Sequence, residues 1–114
     1  MEKDLEARTK RFALSVINFS SSLPRTREGD VLARQLLCSA TSIGANYREA
    51  NRGVSRADFA NRIGTVQKEA AETQYWLELL LDSGRAASRS AQELLKESSE
   101  LLAIFAGIGK KLKE

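Results

Sequence analysis

Apolar side chains recur at three- and four-residue spacing in four separate stretches, each bounded by residues that helices do not carry inside them. Leu5, Phe12, Val16, Phe19 and Leu23 form the first stripe, with one step of seven, and predict a helix over about Asp4–Ser22. Pro24 stops it, because its ring pushes the preceding residue out of the helical region. The second helix is expected over about Asp30–Asn51, with Leu32, Leu36, Ala40 (or Ser39), Ile43, Tyr47 and Ala50 on one face. Asp30 is placed at its N-cap, its carboxylate accepting from free first-turn amides.

After a tight turn at Gly53, Ser55-Arg-Ala-Asp58 opens the third helix as a capping-box-like start. Its main stripe is Phe59, Ile63, Val66, Ala70, Thr73, Leu77 and Leu80 or Leu81, and Ser83-Gly84 ends it. The fourth begins near the capping box Ser90-Ala-Gln-Glu93 and shows Leu94, Ser98, Leu101, Phe105, Ile108 and Leu112. Gly107 and Gly109 are expected to loosen its last turns, while Lys110, Lys111 and Lys113 suit the negative end of a helix dipole. Short connections make successive helices antiparallel neighbours. The expected fold class is all-α, an antiparallel up-down-up-down four-helix bundle, with residues 1–114 forming a single domain.

Composition agrees with this and removes most chemistry. The chain has one proline against fifteen alanines. It has no histidine, so the usual general base near neutral pH and the Glu-x-x-His ligands of diiron bundles are both missing. The single cysteine, Cys38, allows no internal disulfide and has no base partner in sight. No apolar run is long enough to span a bilayer, and Met-Glu-Lys-Asp-Leu-Glu does not read as a signal peptide, so the expected location is the cytoplasm. Glu49, Glu69 and Glu72 could in principle hold a hard cation, but pairing with Arg48, Arg52 or Lys68 satisfies them without one. The expectation is no enzyme, no cofactor, no metal, no membrane and no small-molecule substrate.

Charge is uneven along the chain. Residues 25–62 hold seven arginines against four acids, whereas residues 63–84 hold only Lys68 against Glu69, Glu72, Glu78 and Asp82. Arg48, Arg52, Arg56 and Arg62 are therefore candidates for a polyanion-binding edge, their forked guanidiniums being suited to phosphates; an ordinary ion-paired surface would carry the same charge. At the turn between helices two and three, Asn46, Glu49 and Arg52 read as a structural corner. Asn46 would bond backbone groups, and Glu49 would accept from first-turn amides or from Arg52. Tyr75, Trp76 and Leu79, with Glu72 and Lys68, fall on the half of the third helix away from its main stripe. They read either as a flank of the core or as a subunit interface, where Tyr and Trp are favoured.

Several of these residues also carry a resemblance. Ser42-Ile43-Gly44-Ala45-Asn46-Tyr47-Arg48-Glu49-Ala50, Arg52, Ser55, Phe59, Lys68-Glu69-Ala70, Glu72 and Tyr75-Trp76-Leu77-Glu78-Leu79-Leu80 resemble the four-helix-bundle proteins encoded in intervening sequences of bacterial 23S ribosomal RNA genes. Where that family commonly has Asn-Ile-x-Glu-Gly, this chain has Asn46-Tyr-Arg-Glu49-Ala50. The resemblance implies a bundle that assembles into a ring, often a homopentamer. A related group, the accessory proteins of diversity-generating retroelements, is similar in fold and works beside a reverse transcriptase through a basic ring surface. The expected role is thus a non-enzymatic oligomeric scaffold contacting RNA, DNA or a nucleic-acid enzyme. The competing readings are a purely structural or protein-interaction ring and, more remotely, a carboxylate metal bundle.

Overall fold

A computed structural model of the protein describes residues 4–114, and the chain's first three residues, part of the stretch read above as no signal peptide, lie outside them. Four helices follow one another: α1 (Leu5–Ser21), α2 (Arg27–Asn51), α3 (Arg56–Asp82) and α4 (Ser88–Leu112). Each packs against its neighbours in sequence, and α1 also meets α4, closing a four-helix bundle of 44 × 20 × 20 Å. The long dimension is set by helix length, since 27 residues rise about 40 Å. Cross-bundle pairs run in opposite directions, Glu6 meeting Arg52 and Ser39 meeting Thr73, so the arrangement is the expected antiparallel one.

The stripes form the core. Phe12, Val16, Leu36, Ile43, Ile63, Val66, Leu77, Leu80, Leu101 and Phe105 are buried together, while Tyr47 sets its ring edge-on to Phe105 with centroids 5.2 Å apart. The seven-residue step in the first stripe is filled by Thr9, which is fully buried and donates from Oγ1 to the Leu5 carbonyl at 2.7 Å. That bond satisfies the hydroxyl inside its own helix, so a polar side chain sits in the core without cost to the neighbouring helix. Opposite it α2 places Gly44, where an added Cβ would stand only 3.0 Å from Thr9 Oγ1.

Helix ends differ from expectation in two places. The N-cap of α2 is Thr26, whose Oγ1 accepts from Gly29 N at 2.9 Å, so the helix begins a turn earlier than a start at Asp30 would allow. Asp30 instead receives the Arg25 guanidinium at 2.8 Å, which holds its carboxyl below its ordinary value. Similarly, α4 starts at Ser88 behind Ala87, which gives no side-chain cap, and Ser90 and Glu93 lie within its first turns. The third helix behaves as read: Ser55 Oγ caps Asp58 N at 3.1 Å. At its other end Gly84, at φ +73°, closes a Schellman turn with Arg85 N donating to Leu80 O at 3.0 Å. Gly107 and Gly109 do not loosen α4, which is continuous to Leu112. Gly109 is buried beneath the Gln67 side chain, whose amide occupies the space a Cβ would need.

Candidate interaction surfaces

The antiparallel order gathers the start of α1, the α2–α3 turn and the end of α4 at one end of the bundle. Glu6 is the hub there. Its Oε2 accepts from Asn51 Nδ2 at 2.9 Å and from Arg52 at 3.3 Å, while Oε1 lies 3.8 Å from Arg48. The Asn51 bond, with help from Arg52 and Arg48 and against desolvation, holds the Glu6 carboxyl below its ordinary value. Arg52 also donates to the Arg48 carbonyl at 2.9 Å.

Of the corner residues, Asn46 and Glu49 meet Arg62 of α3, whereas Arg52 meets Glu6 of α1. Asn46 Nδ2 donates to Ser42 O at 2.9 Å and its Oδ1 accepts from Arg62 at 3.1 Å. Glu49 also pairs with Arg62 at 3.1 Å, so its partner is neither Arg52 nor a first-turn amide. Glu49, Arg52 and Arg62 line an open polar cleft with Gly53, Asp58, Asn61 and Thr65.

Of the four arginines singled out in the sequence, Arg48, Arg52 and Arg62 each have a carboxylate beside them. Among the described residues Arg56 has none, and it donates to the Leu112 carbonyl of α4 at 3.2 Å. That bond brings it to the segment that carries Lys110, Lys111 and Lys113, all exposed and without a carboxylate partner among the described residues. Sequence reasoning assigned those lysines only to the helix dipole. Their proximity to a residue more than fifty positions away is a product of α3–α4 packing, which no local pattern reports.

A second surface lies on the flank of α3. Tyr75 is 53% exposed and meets Trp76 edge-on, ring centroids 5.1 Å apart. Trp76 itself is half-buried against the core, yet its Nε1 is buried without a hydrogen-bond acceptor among the described residues. Leu79 and Glu72 are half-exposed and Lys68 is exposed. Burial and the neighbouring Glu72 charge push the Glu69 carboxyl up, opposed by Lys68. The surface is thus aromatic and acidic.

No group of three or more Cys, Asp or Glu side chains forms a metal-binding cluster among the described residues, so Glu49, Glu69 and Glu72 do not come together as a cation site. Cys38 is free and exposed. Among the described residues no helix is long and apolar enough to cross a membrane.

An antiparallel four-helix bundle with a hydrophobic interior, two hydroxyl-lined seams and no buried charged side chain among the described residues defines the class of helical-bundle proteins. Within that class, the chain belongs to the family of 23S rRNA-intervening sequence proteins, whose family model matches residues 3–107. It is similar to a solved protein of unknown function from the S23 ribosomal protein family of Bacteroides thetaiotaomicron. The two share 36% sequence identity over 92% of this chain and 97% of that one, with a TM-score of 0.85. No curated protein matches the chain.

Proposed function

We propose that the protein is a non-enzymatic, self-associating helical scaffold whose α2–α3 turn end contacts the phosphates of RNA or DNA, alone or in the hands of a nucleic-acid enzyme such as a reverse transcriptase. One observation carries this reading: Arg56, Lys110, Lys111 and Lys113 gather at one end of the bundle with no carboxylate partner among the described residues. Unpaired surface cations are free to release condensed counterions when they meet a phosphate backbone. Assembly into a ring, a pentamer by resemblance, would repeat the patch on one face and raise avidity without new contacts.

A competing reading, a structural or protein-interaction ring with no nucleic-acid role, is favoured by the local pairing of Arg48, Arg52 and Arg62. Titration of labelled RNA and DNA at low and moderate salt separates the two. Binding that weakens steeply with salt, with a slope smaller by about 2 in Arg56→Glu/Lys111→Glu, supports phosphate contact. Equal binding by both proteins, or none at low salt, supports the structural ring.

A further inference from the structure

We infer that the furrow between α1 and α2 is a docking site for an amphipathic helix of another protein, one whose apolar stripe is edged by carboxylates. It uses neither the Arg56 and lysine cluster proposed above to meet phosphate nor the flank of α3.

The two helices run antiparallel and leave two open hollows between them, one beyond the other. The first, of about 300 Å³, is floored by the small residues Ala13, Thr41, Gly44 and Ala45. The second, of about 590 Å³, lies beside Ile17, Ala33 and Leu37. From Glu6 at one end to Leu23 at the other α1 rises about 25 Å, the length of a helix of about 17 residues. Small side chains along such a seam let a further helix approach closely.

Leu14 and Ile17 stand 51% and 42% exposed on the same stretch of α1. Opposite them Arg34, Cys38, Thr41 and Ala45 of α2 follow at spacings of three and four, all four exposed and on one helix face. Exposed apolar side chains rimmed by polar ones mark contact surfaces. Among the described residues the other exposed large apolar side chains are Val31, Val54 and Tyr75, and no two of these share a helix. The apolar stripes of all four helices are taken up by the core, so a second copy has no free stripe to lay in the furrow. Ser20 lines the second hollow with its Oγ buried and without a hydrogen-bond partner among the described residues. A polar side chain of the incoming helix would satisfy it.

Charge defines the edge of that helix. Lys10 and Arg34 border the furrow and make no ion pair among the described residues. Gly44 packs on Thr9, beside Lys10, and Arg34 precedes Gly44 by ten residues, so the two cations stand about 15 Å apart along the furrow. The bordering carboxylates are engaged, Glu6 by Asn51 and Arg52 and Asp30 by Arg25, with Arg34 adding only its field to Asp30. The charge left over is positive. A matching helix carries carboxylates about three turns apart, with its apolar stripe giving affinity and the charges giving register.

Cys38, the single cysteine, is exposed on this face and reports its occupancy. The probes are a helical peptide of about 18 residues, with a leucine and alanine stripe and glutamates about three turns apart, and the same peptide with lysines in place of the glutamates. Fluorescence anisotropy measures binding, and mass spectrometry follows alkylation of Cys38. The glutamate peptide is expected to bind wild type saturably, to slow Cys38 alkylation in proportion to occupancy, and to bind Lys10→Glu/Arg34→Glu at least about tenfold more weakly. The lysine peptide should reverse that order. Ala45→Trp fills the floor without touching the charges and should also weaken the glutamate peptide, with circular dichroism checking the helix content of each variant. No saturable binding, equal binding to wild type and the charge variant, or undiminished alkylation of Cys38 at saturation overturns the inference. So does light scattering that shows the peptide releasing monomers from a larger assembly, because a second copy then fills the furrow.

Discussion

The hydroxyl of Thr73 donates to Ser39 Oγ across 2.9 Å, inside the buried seam between α2 and α3. Both side chains sit on helix stripes that are otherwise apolar, so the pair fixes the relative height of two helices that could slide along leucines. Removing one partner leaves the other less satisfied in a dry site. Thr73→Val is expected to lower stability by about 1–2 kcal/mol, whereas Ser39→Ala with Thr73→Val should cost less than the sum of the two single changes. Urea unfolding midpoints of the three variants give the coupling.

Gly44 and Gly64 make a matched pair of glycine tests. A Cβ at Gly44 would lie 3.0 Å from Thr9 Oγ1 and 3.3 Å from Thr9 Cβ, so α1 and α2 must move apart. Gly44→Ala is expected to destabilise by about 1–2 kcal/mol despite its better helix propensity. At Gly64 an added Cβ meets nothing within 4 Å, and Gly64→Ala should stabilise by about 1 kcal/mol. Thermal melts that shift in the same direction for both would contradict the close approach of α1 and α2.

Acid should loosen the α1–α2 end first through Glu6. Its carboxyl is held below the ordinary value of 4.5 chiefly by the Asn51 amide, then by Arg52 and Arg48, against desolvation. A depressed value in the folded state means that the stabilisation is present above the unfolded value and disappears as pH falls through the folded one. Glu6→Gln keeps an acceptor for Asn51 but cannot titrate. The loss of urea resistance between about pH 6 and about pH 3 should therefore be smaller in the variant. An unchanged loss would show that Glu28, Asp30 and other carboxylates account for the acid response without Glu6.

Tyr75 and Trp76 are neighbours with separable roles. Tyr75→Ala removes an exposed ring and should leave monomer stability within about 0.5 kcal/mol while weakening assembly. Trp76→Ala removes a ring packed on the core and should lower stability by about 2 kcal/mol as well as weakening assembly. Chemical denaturation at low protein concentration and light scattering at high concentration report the two effects apart. Equal stability loss in both would mean that Tyr75 is packed more deeply than its exposure indicates.

Much of the bundle was legible because burial repeats with the helix period. Leu36, Ile43, Ile63, Leu77, Leu101 and Phe105 could be picked out as core from spacing alone, and Ser55 and Gly84 marked both ends of α3. Where two cap candidates stood close together the choice was not local. Thr26 starts α2 while the Asp30 carboxylate goes to Arg25, and α4 begins at Ser88 with no side-chain cap at all. The start of α2 depends on the Arg25 partner of Asp30 and on the packing of Gly29 against the turn, which pattern alone does not weigh.

The candidate surfaces divide the same way. Sequence alone determined four amphipathic helices in antiparallel order, an excess of arginine before residue 63 and an acidic third helix, because helical period and charge are properties of neighbouring residues. Tertiary structure alone decided that Glu49 pairs with Arg62, that Glu6 gathers Asn51, Arg52 and Arg48, and that Arg56 reaches the end of α4. These partners come from different helices, and their meeting depends on the register in which the helices pack. That register is set by buried contacts such as Thr9 against Gly44 and Thr73 against Ser39, not by the surface residues that it brings together.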